Sequence, residues 1–131
     1  MIVQPYRLPY PLSVNRYWTI SARTRSIIWT TEGKAWKAQA SAMLREQGAR
    51  EPLAGPVVVD IRLQPKTRKD GSESAVRIDL DNALKVLLDA GNKVLWHDDR
   101  QIVDLRVRLG QAVPDGGVTI YAVPATEEQP A

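Results

Sequence analysis

The residues most able to do chemistry lie in a short acidic segment, residues 78–85. Asp79 and Asp81 are two positions apart, Asn82 adds an amide, and Lys85 follows Asp81 by four residues. Clustered carboxylate oxygens are the ligands that hard divalent cations prefer, and such cations catalyse phosphoryl transfer. The segment therefore indicates a metal site for phosphate chemistry.

The spacing of these residues also has a purely structural interpretation. If the chain is extended there, residues two apart point to the same side, so Asp79 and Asp81 project together and their repulsion favours recruiting a cation. Alternatively, Asp81 is only a helix N-cap, a position that aspartate favours. Lys85 is either a helical ion-pair partner of Asp81, worth about 0.2–0.5 kcal/mol, or an ammonium directed at a phosphate. Spacing alone leaves these alternatives open.

A second acidic pair, Asp98 and Asp99, lies in a turn that leads into a strand. One of the two, as a third ligand, would complete a carboxylate-rich magnesium site, although aspartate is also frequent in turns. His97 is the single histidine and borders the pair. It could act as a general base, but magnesium sites seldom use imidazole, and a lone histidine beside acids is more often a surface residue.

Basic and aromatic residues indicate a nucleic-acid surface. Arginines and aromatic rings occur together shortly after residue 15, and further basic residues lie in a polar loop over residues 66–75 that we expect to be mobile. Such residues can bind phosphates and stack on exposed bases, although the loop could equally be a solvated tip. The residues concerned are Arg16, Tyr17, Trp18, Arg23, Arg25, Lys66, Arg68 and Lys69.

Composition restricts the class of protein. With 131 residues, 44% hydrophobic and 25% charged, the chain is expected to form one globular domain over residues 1–131, with a frayed tail from about residue 125. The absence of cysteine excludes disulfides and thiolate metal sites. A net charge of +3 is compatible with a nucleic-acid partner. No apolar run approaches the roughly 20 residues of a membrane span, and no signal peptide is visible, so we expect a cytoplasmic protein.

Hydrophobic periodicity predicts an α+β fold built on one mixed β-sheet. Apolar and polar side chains alternate along the best candidates, as in strands with one buried face. The sheet is expected to contain about four to five strands, with consecutive strands suited to hairpins. The predicted strands cover residues 2–8, 27–29, 57–64, 101–110 and 118–123, and residues 76–80 are expected to be extended.

Two main helices are predicted beside this sheet. The first covers residues 32–47, with Thr30 or Thr31 as its N-cap and apolar residues at helical spacing. The second covers residues 82–90 and ends at Gly91. Trp36, in the first helix, is expected to belong to the core.

Several short motifs occur in order along residues 8–107. They are the opening Leu8-Pro9-Tyr10-Pro11-Leu12-Ser13-Val14-Asn15-Arg16-Tyr17, the helix start Thr31-Glu32-Gly33, the stretch Asp79-Leu80-Asp81-Asn82 with Lys85, and the turn Trp96-His97-Asp98-Asp99. Each motif is common by itself, but their order and spacing resemble the RusA family of Holliday junction resolvases. That family comprises small magnesium-dependent endodeoxyribonucleases, often carried by phages and prophages.

The resemblance implies a role for particular residues. It makes Asp79, Asp81 and Asp99 the ligands of Mg²⁺, which Mn²⁺ can replace, and Lys85 the catalytic lysine. In the family several arginines lead directly into the first aspartate, whereas here residues 71–75 separate most of the basic charge from it, which bears on junction selectivity. The implied DNA-contacting residues are Ser13, Asn15, Arg16, Lys66, Arg68, Lys69, Arg77 and Asn82.

The resemblance also implies a homodimer that acts on branched DNA. A four-way junction has approximate two-fold symmetry, and its resolution in recombination and repair requires paired symmetric nicks. A two-fold dimer with one active site per subunit matches that geometry.

Two other functions remain open from the sequence. The first is a small-molecule phosphohydrolase that uses Asp79 as a nucleophile in a pair of alternating acids, although Asn82 and the short chain argue against it. The second is a non-catalytic nucleic-acid-binding protein, whose acids would serve only as caps and turns.

Overall fold

A computed structural model describes residues 5–72, 74 and 78–125. None of the helices in these ranges is long and apolar enough to cross a membrane. A short 3-10 helix, Asp99–Gln101, precedes the fifth strand. In chain order the other elements are β1 (Tyr6–Leu8), α1 (Val14–Tyr17), β2 (Trp18–Ile20), β3 (Ile27–Trp29), α2 (Thr31–Glu46), β4 (Val57–Gln64), α3 (Leu80–Gly91), β5 (Ile102–Leu109) and β6 (Gly117–Pro124).

Four strands form a mixed sheet in the order β1-β6-β4-β5, which confirms the predicted α+β fold. β6 pairs antiparallel with β1 and β4, whereas β4 and β5 are parallel. The expectation that consecutive strands of the sheet form hairpins is wrong, because α3 connects β4 to β5 and a helical crossover joins parallel strands. The hairpin that does form, between β2 and β3, makes a separate two-stranded sheet.

The alternation along β4 explains where the core lies. Its apolar side chains at odd positions are almost fully buried, whereas the side chains between them are partly or fully exposed on the other face. The helices supply the opposite wall of the core through residues at helical spacing. The buried residues are Val57, Val59, Ile61 and Leu63 of β4, Trp36, Ala40 and Leu44 of α2, and Ala83, Val86, Leu87 and Ala90 of α3.

The predicted element boundaries agree with the structure where periodicity is long. β4 matches its predicted range, and α2 starts one residue before its predicted start, with the Thr30 hydroxyl accepting from the Gly33 N–H at 2.9 Å. α3 begins two residues earlier than predicted. Neither α1 nor β2 was predicted, because three or four residues carry no measurable period.

The chain ends agree with the predictions only in part. Only the last three residues of the predicted first strand, Tyr6–Leu8, are assigned to β1, and residues 1–4 lie outside the described part of the chain. In the predicted frayed tail, the Ala125 N–H donates to the Pro56 carbonyl at 2.9 Å, so this residue is attached. Residues 126–131 are not among those described.

A close backbone contact joins α1 to the start of α2. The Thr30 N–H donates to the Tyr17 carbonyl at 3.0 Å, and the Thr30 hydroxyl donates to the Arg16 carbonyl at 2.5 Å. A Cβ atom on Gly33 would lie 2.0 Å from the Tyr17 carbonyl oxygen, which is far inside van der Waals contact. Only glycine therefore allows the two helices to approach this closely.

A side-chain cluster joins all three helices. The ring of Tyr17 is fully buried, and its hydroxyl donates to Asp89 Oδ2 of α3 at 2.5 Å. Lys37 of α2 places its Nζ 3.1 Å from the same oxygen. Burial and the adjacent Asp89 carboxylate raise the pKa of Tyr17 well above its ordinary value, so the phenol remains a donor at any physiological pH.

We predict that Tyr17→Phe lowers the free energy of unfolding by about 1.5–3 kcal/mol, the usual contribution of a hydrogen bond to a charged group. Urea denaturation followed by circular dichroism measures this change. Tyr121→Phe is the matched control, because it removes a hydroxyl from a partly exposed ring on the other face of the sheet and should change stability by less than about 0.5 kcal/mol. Equal stabilities of the two variants would contradict the prediction.

Candidate metal and nucleic-acid site

A cleft of about 480 Å³ lies between the segment before α1 and the start of α3. Five of the residues predicted from the sequence line it, although they are far apart in the chain. Two come from the α1 region, one from the loop after β4, and two from the start of α3. They are Ser13, Arg16, Lys66, Asp79 and Asn82.

Asp79 occupies the N-cap position of α3, with φ −69° and ψ 146°. Its carbonyl accepts from the Ala83 N–H at 3.1 Å, but its carboxylate makes no capping hydrogen bond. The interpretation of Asp81 as the N-cap is therefore wrong, since the helix begins one residue before Asp81. The carboxylate of Asp79 is exposed and available to a ligand at the positive end of the helix dipole.

Asp81 lies in the first turn of α3 and is also exposed. Because the helix starts at Leu80, Asp79 and Asp81 are not in one extended segment, and the alternative that an extended chain projects both acids to the same side does not apply. Of the segment 76–80 that was expected to be extended, Asp79 is extended and Leu80 is helical, and Val76 and Arg77 lie outside the described residues. Lys85 is exposed one turn after Asp81, on the same helix face. The cleft contains Asp79 and Asn82, and Asp81 and Lys85 lie outside its lining.

Tyr10 positions the chain immediately before Asp79. Its hydroxyl accepts from the Ile78 N–H at 3.0 Å, and its carbonyl accepts from the Trp36 indole N–H at 2.9 Å. Lys66 places its ammonium 5.2 Å from the centre of the Tyr10 ring, within reach of a cation–π contact. The sequence did not predict this role of Tyr10. The feature that could have indicated it is the position of Tyr10 between two prolines in a loop.

The α1 segment carries the predicted DNA-contacting residues on two sides. The Ser13 carbonyl accepts from the Arg16 and Tyr17 N–H groups at 2.9 and 3.1 Å and so closes the first turn. Arg16 faces the cleft and forms an exposed ion pair with Glu32. Asn15 lies outside the cleft, in an adjacent groove formed with the β2–β3 hairpin.

The basic loop is organised by hydrogen bonds in its described part. The Ser74 N–H donates to the Lys66 carbonyl at 2.9 Å, and the Arg68 N–H donates to the Ser72 carbonyl at 2.6 Å. Ser72 donates through both its N–H and its hydroxyl to Asp70, and these bonds hold the pKa of Asp70 below its ordinary value. Arg68 and Lys69 are exposed at the tip, outside the lining of the cleft. Arg77, also predicted to contact DNA, lies outside the described residues.

The two aspartates of the second acidic pair have different surroundings. Asp98 caps the 3-10 helix by accepting from the Arg100 N–H at 2.9 Å, and this bond lowers the pKa of Asp98. Asp99 makes no such cap, and partial burial together with the carboxylates of Asp98 and Asp89 raises its pKa above the ordinary value. The side chain of His97 is exposed beside them, and the backbone N–H of His97 donates to Gln101 Oε1 at 2.8 Å.

The three predicted metal ligands do not form one cluster within a single chain. The pKa of Asp99 is raised in part by the carboxylate of Asp89, so Asp99 lies near that residue. At a rise of about 1.5 Å per residue, Asp89 is roughly 15 Å from Asp79 along the helix axis. Among the described residues, no three acidic or histidine side chains are close enough together to hold a metal ion. The arrangement therefore provides an acidic pair at one end of α3 and a third carboxylate toward the other.

Comparison with known proteins gives two matches that cover most of the chain. The sequence model of the family described as "Endodeoxyribonuclease RusA" matches residues 9–121. A crossover junction endodeoxyribonuclease, rusA, from Enterobacteria phage HK97 is 34% identical over 118 residues, which cover 86% of this chain and 88% of the phage protein.

We predict that Asp99→Asn raises the melting temperature at neutral pH. A carboxyl whose folded-state pKa is raised stabilises the fold when protonated, below its ordinary value of 3.8, and that stability is lost as the pH rises through the folded-state pKa. The advantage of the variant should therefore shrink as the pH approaches 3.8. Thermal melts over a pH series measure this, with Asp115→Asn, an exposed turn residue, as control. Identical melting temperatures of Asp99→Asn and wild type at neutral pH would exclude the effect.

Proposed function

Because this chain belongs to the RusA family of endodeoxyribonucleases, we propose that it resolves Holliday junctions by paired symmetric nicks during recombination and repair. The observation that supports this best is the cleft, in which an acid and an amide at the start of α3 face basic and polar residues from two other segments. Residues 1–131 are proposed to act as one endonuclease domain in the cytoplasm, where a cellular or phage DNA substrate would be found.

The proposed DNA contacts are electrostatic and are centred on the cleft. Arg16 and Lys66 would bind backbone phosphates there, Ser13 and Asn82 would donate to phosphate oxygens, and the exposed Arg68 and Lys69 would extend the contact along the loop. The remaining proposed contacts are Asn15 and Arg77. Arg16 must leave Glu32 to reach a phosphate, which requires little energy because an exposed ion pair contributes about 0–1 kcal/mol.

Mg²⁺, or Mn²⁺ in its place, is the proposed cofactor, held by Asp79 and Asp81. Asp99 is proposed as a third ligand, and because it lies toward the other end of α3 in the single chain, it would reach this ion only from a second subunit or after a rearrangement on DNA binding. The donor set is compatible with a hard cation, because Mg²⁺ often binds through one or two carboxylates together with waters and substrate phosphates. When bound, the ion would polarise the scissile phosphate, activate water and stabilise the leaving oxygen. A preformed cage of three carboxylates is therefore not required.

The other site residues have supporting tasks in this proposal. Lys85, one turn after Asp81, would stabilise negative charge that develops on the phosphate. Tyr10 would keep the backbone at Ile78 in place, so that the Asp79 carboxylate points from the helix start into the cleft. The N-terminal end of α3 adds a favourable field for an anionic phosphate.

We predict that Asp81→Asn retains junction binding while cleavage collapses. Removing a residue that only supports a metal ligand typically lowers activity roughly 10–100-fold. Because Asp81 is proposed to be a ligand itself, its loss should lower cleavage by more than this, while the fold is kept. Gel shifts in EDTA measure binding to a labelled synthetic four-way junction, and nicking in Mg²⁺ measures activity.

Glu46→Gln serves as the matched control for this test, since it removes an exposed carboxylate from the last residue of α2, which does not line the cleft. Absence of nicking by the wild-type protein in Mg²⁺ at every junction sequence would overturn the proposed function and favour a non-catalytic DNA-binding protein. Undiminished cleavage by Asp81→Asn would remove Asp81 from the metal site.

A homodimer is proposed because a four-way junction has approximate two-fold symmetry and needs two nicks. The supporting surface is β5, which forms an edge of the sheet. An edge strand presents unpaired backbone groups to a possible partner strand. Its apolar residues Val103, Leu105 and Leu109 are exposed by 62%, 38% and 42%, and contiguous exposed apolar surface marks interaction sites.

We predict that Leu105→Arg converts a dimer to a monomer, because a charge would be buried without a partner in the interface. Light scattering coupled to gel filtration measures the molar mass. Asp104→Arg introduces the same side chain one position earlier on the opposite face of β5 and should leave the mass unchanged. If Leu105→Arg remains dimeric, β5 is not the contact between subunits.

A further inference from the structure

The β2–β3 hairpin exposes an apolar face that the proposed site does not use. Its register pairs Trp18 with Trp29 and Ile20 with Ile27, and paired residues project on the same face. Ile20 and Ile27 are 67% and 60% exposed at the outer end. A pair of isoleucines this accessible, continuous with two tryptophans, is unusual on the surface of a folded protein.

The inner end of the hairpin is attached to the helices that form the cleft. The Trp18 ring packs edge-on against Tyr17 with 5.3 Å between centroids, and Lys37 lies 5.1 Å from the centroid of the Trp29 ring. Thr30, directly after β3, is hydrogen-bonded to the end of α1. The hairpin is therefore held in a defined direction relative to α1.

The tip of the hairpin is basic and closed by backbone hydrogen bonds. The Ser21 N–H donates to the Ser26 carbonyl at 2.9 Å, and the Arg25 N–H donates to the Ser21 carbonyl at 2.7 Å. Arg25 has φ 58°, and both Arg23 and Arg25 are exposed. Residues 13–31 contain no aspartate or glutamate, so the whole hairpin has a positive charge.

The hairpin continues the surface of the cleft around α1. A groove of about 460 Å³ is lined by Asn15, Trp18, Thr19, Ile20 and Ile27. Ser13 and Arg16 of the same short segment line the cleft. A nucleic acid bound in the cleft therefore has a direct path along α1 onto the apolar face of the hairpin.

We propose that the β2–β3 hairpin inserts its apolar end between unstacked bases at the branch point of the DNA. Isoleucine side chains act as wedges between base steps in other DNA complexes, and arginines at the tip would hold the flanking phosphates. Uniform positive charge and continuity with the cleft favour DNA over a second copy of this chain, whose hairpin has the same charge. The proposal rests on the proposed function, because it places the unstacked bases at the branch point of the proposed junction substrate.

The test uses a synthetic four-way junction with 2-aminopurine at the branch point, in EDTA so that no cleavage occurs. Wild-type protein should increase the fluorescence as the base unstacks. The double variant Ile20→Ser with Ile27→Ser should lose this increase and bind the junction about 10- to 150-fold more weakly, the loss expected when the burial of one isoleucine side chain is removed. Affinity for linear duplex should be unchanged.

Two further variants make the test specific. Ile28→Ser changes an exposed isoleucine on the opposite face of the hairpin and should behave as wild type. The pair Arg23→Ala with Arg25→Ala should lower the slope of log affinity against log salt by about 2, roughly one for each lost phosphate contact. This arginine variant tests the hairpin independently if the isoleucine variant does not fold, which thermal melts would reveal.

Two results would overturn the proposal. The first is unchanged fluorescence and junction affinity in the folded isoleucine variant together with an unchanged salt slope in the arginine variant. The second is loss of dimer mass in light scattering for the isoleucine variant alone, which would make the hairpin a contact between two copies. Failure of wild type to nick junctions in Mg²⁺ would affect only the proposed function, since the fluorescence and binding measurements need no cleavage.

Discussion

The geometry of the cleft depends on one carboxylate oxygen. Asp89 Oδ2 accepts from the Tyr17 hydroxyl of α1 and forms an ion pair with Lys37 of α2, so three helices meet at a single atom of α3. The functional residues lie away from this cluster, toward the starts of α1 and α3. The cluster holds α1 at Tyr17 and α3 at Asp89, away from the starts of both helices. It therefore sets the angle between α1 and α3, and with it the distance across the cleft between Arg16 and Asp79.

Neighbouring acidic residues differ in whether their carboxylates cap a helix. Asp98 uses its side chain to cap the 3-10 helix, which lowers its pKa, whereas the adjacent Asp99 makes no cap and its pKa is raised. Asp79 holds a cap position without making the capping bond, although such a bond typically contributes about 1 kcal/mol. A carboxylate that does not cap a helix in this way is available to a ligand, as the proposed metal site requires.

Long periodic segments of the sequence predicted the fold well, and short or non-local features did not. Apolar residues alternate in Val57–Gln64 and recur at helical spacing in Thr31–Glu46, and these are the residues that become buried. The strand, the helix and their core residues could therefore be predicted from the pattern. The parallel pairing of β4 with β5 depends on the α3 crossover, which no local pattern records. The sequence predicted the residues that line the cleft from the α1 segment and the start of α3, but not Tyr10, because its hydroxyl acts on Ile78 across 68 residues.

The distance of Asp99 from Asp79 and Asp81 limits how many carboxylates of one chain can bind the proposed ion. Two exposed carboxylates at one helix end bind a hard cation weakly by themselves, since Mg²⁺ gives up its hydration shell reluctantly. A phosphate placed in the cleft by Arg16 and Lys66 would supply further oxygen ligands and raise the affinity for the ion. By linkage the ion raises the affinity for that phosphate to the same degree. In the proposed site, metal and DNA therefore bind together, and cleavage would be confined to DNA that the basic residues already hold.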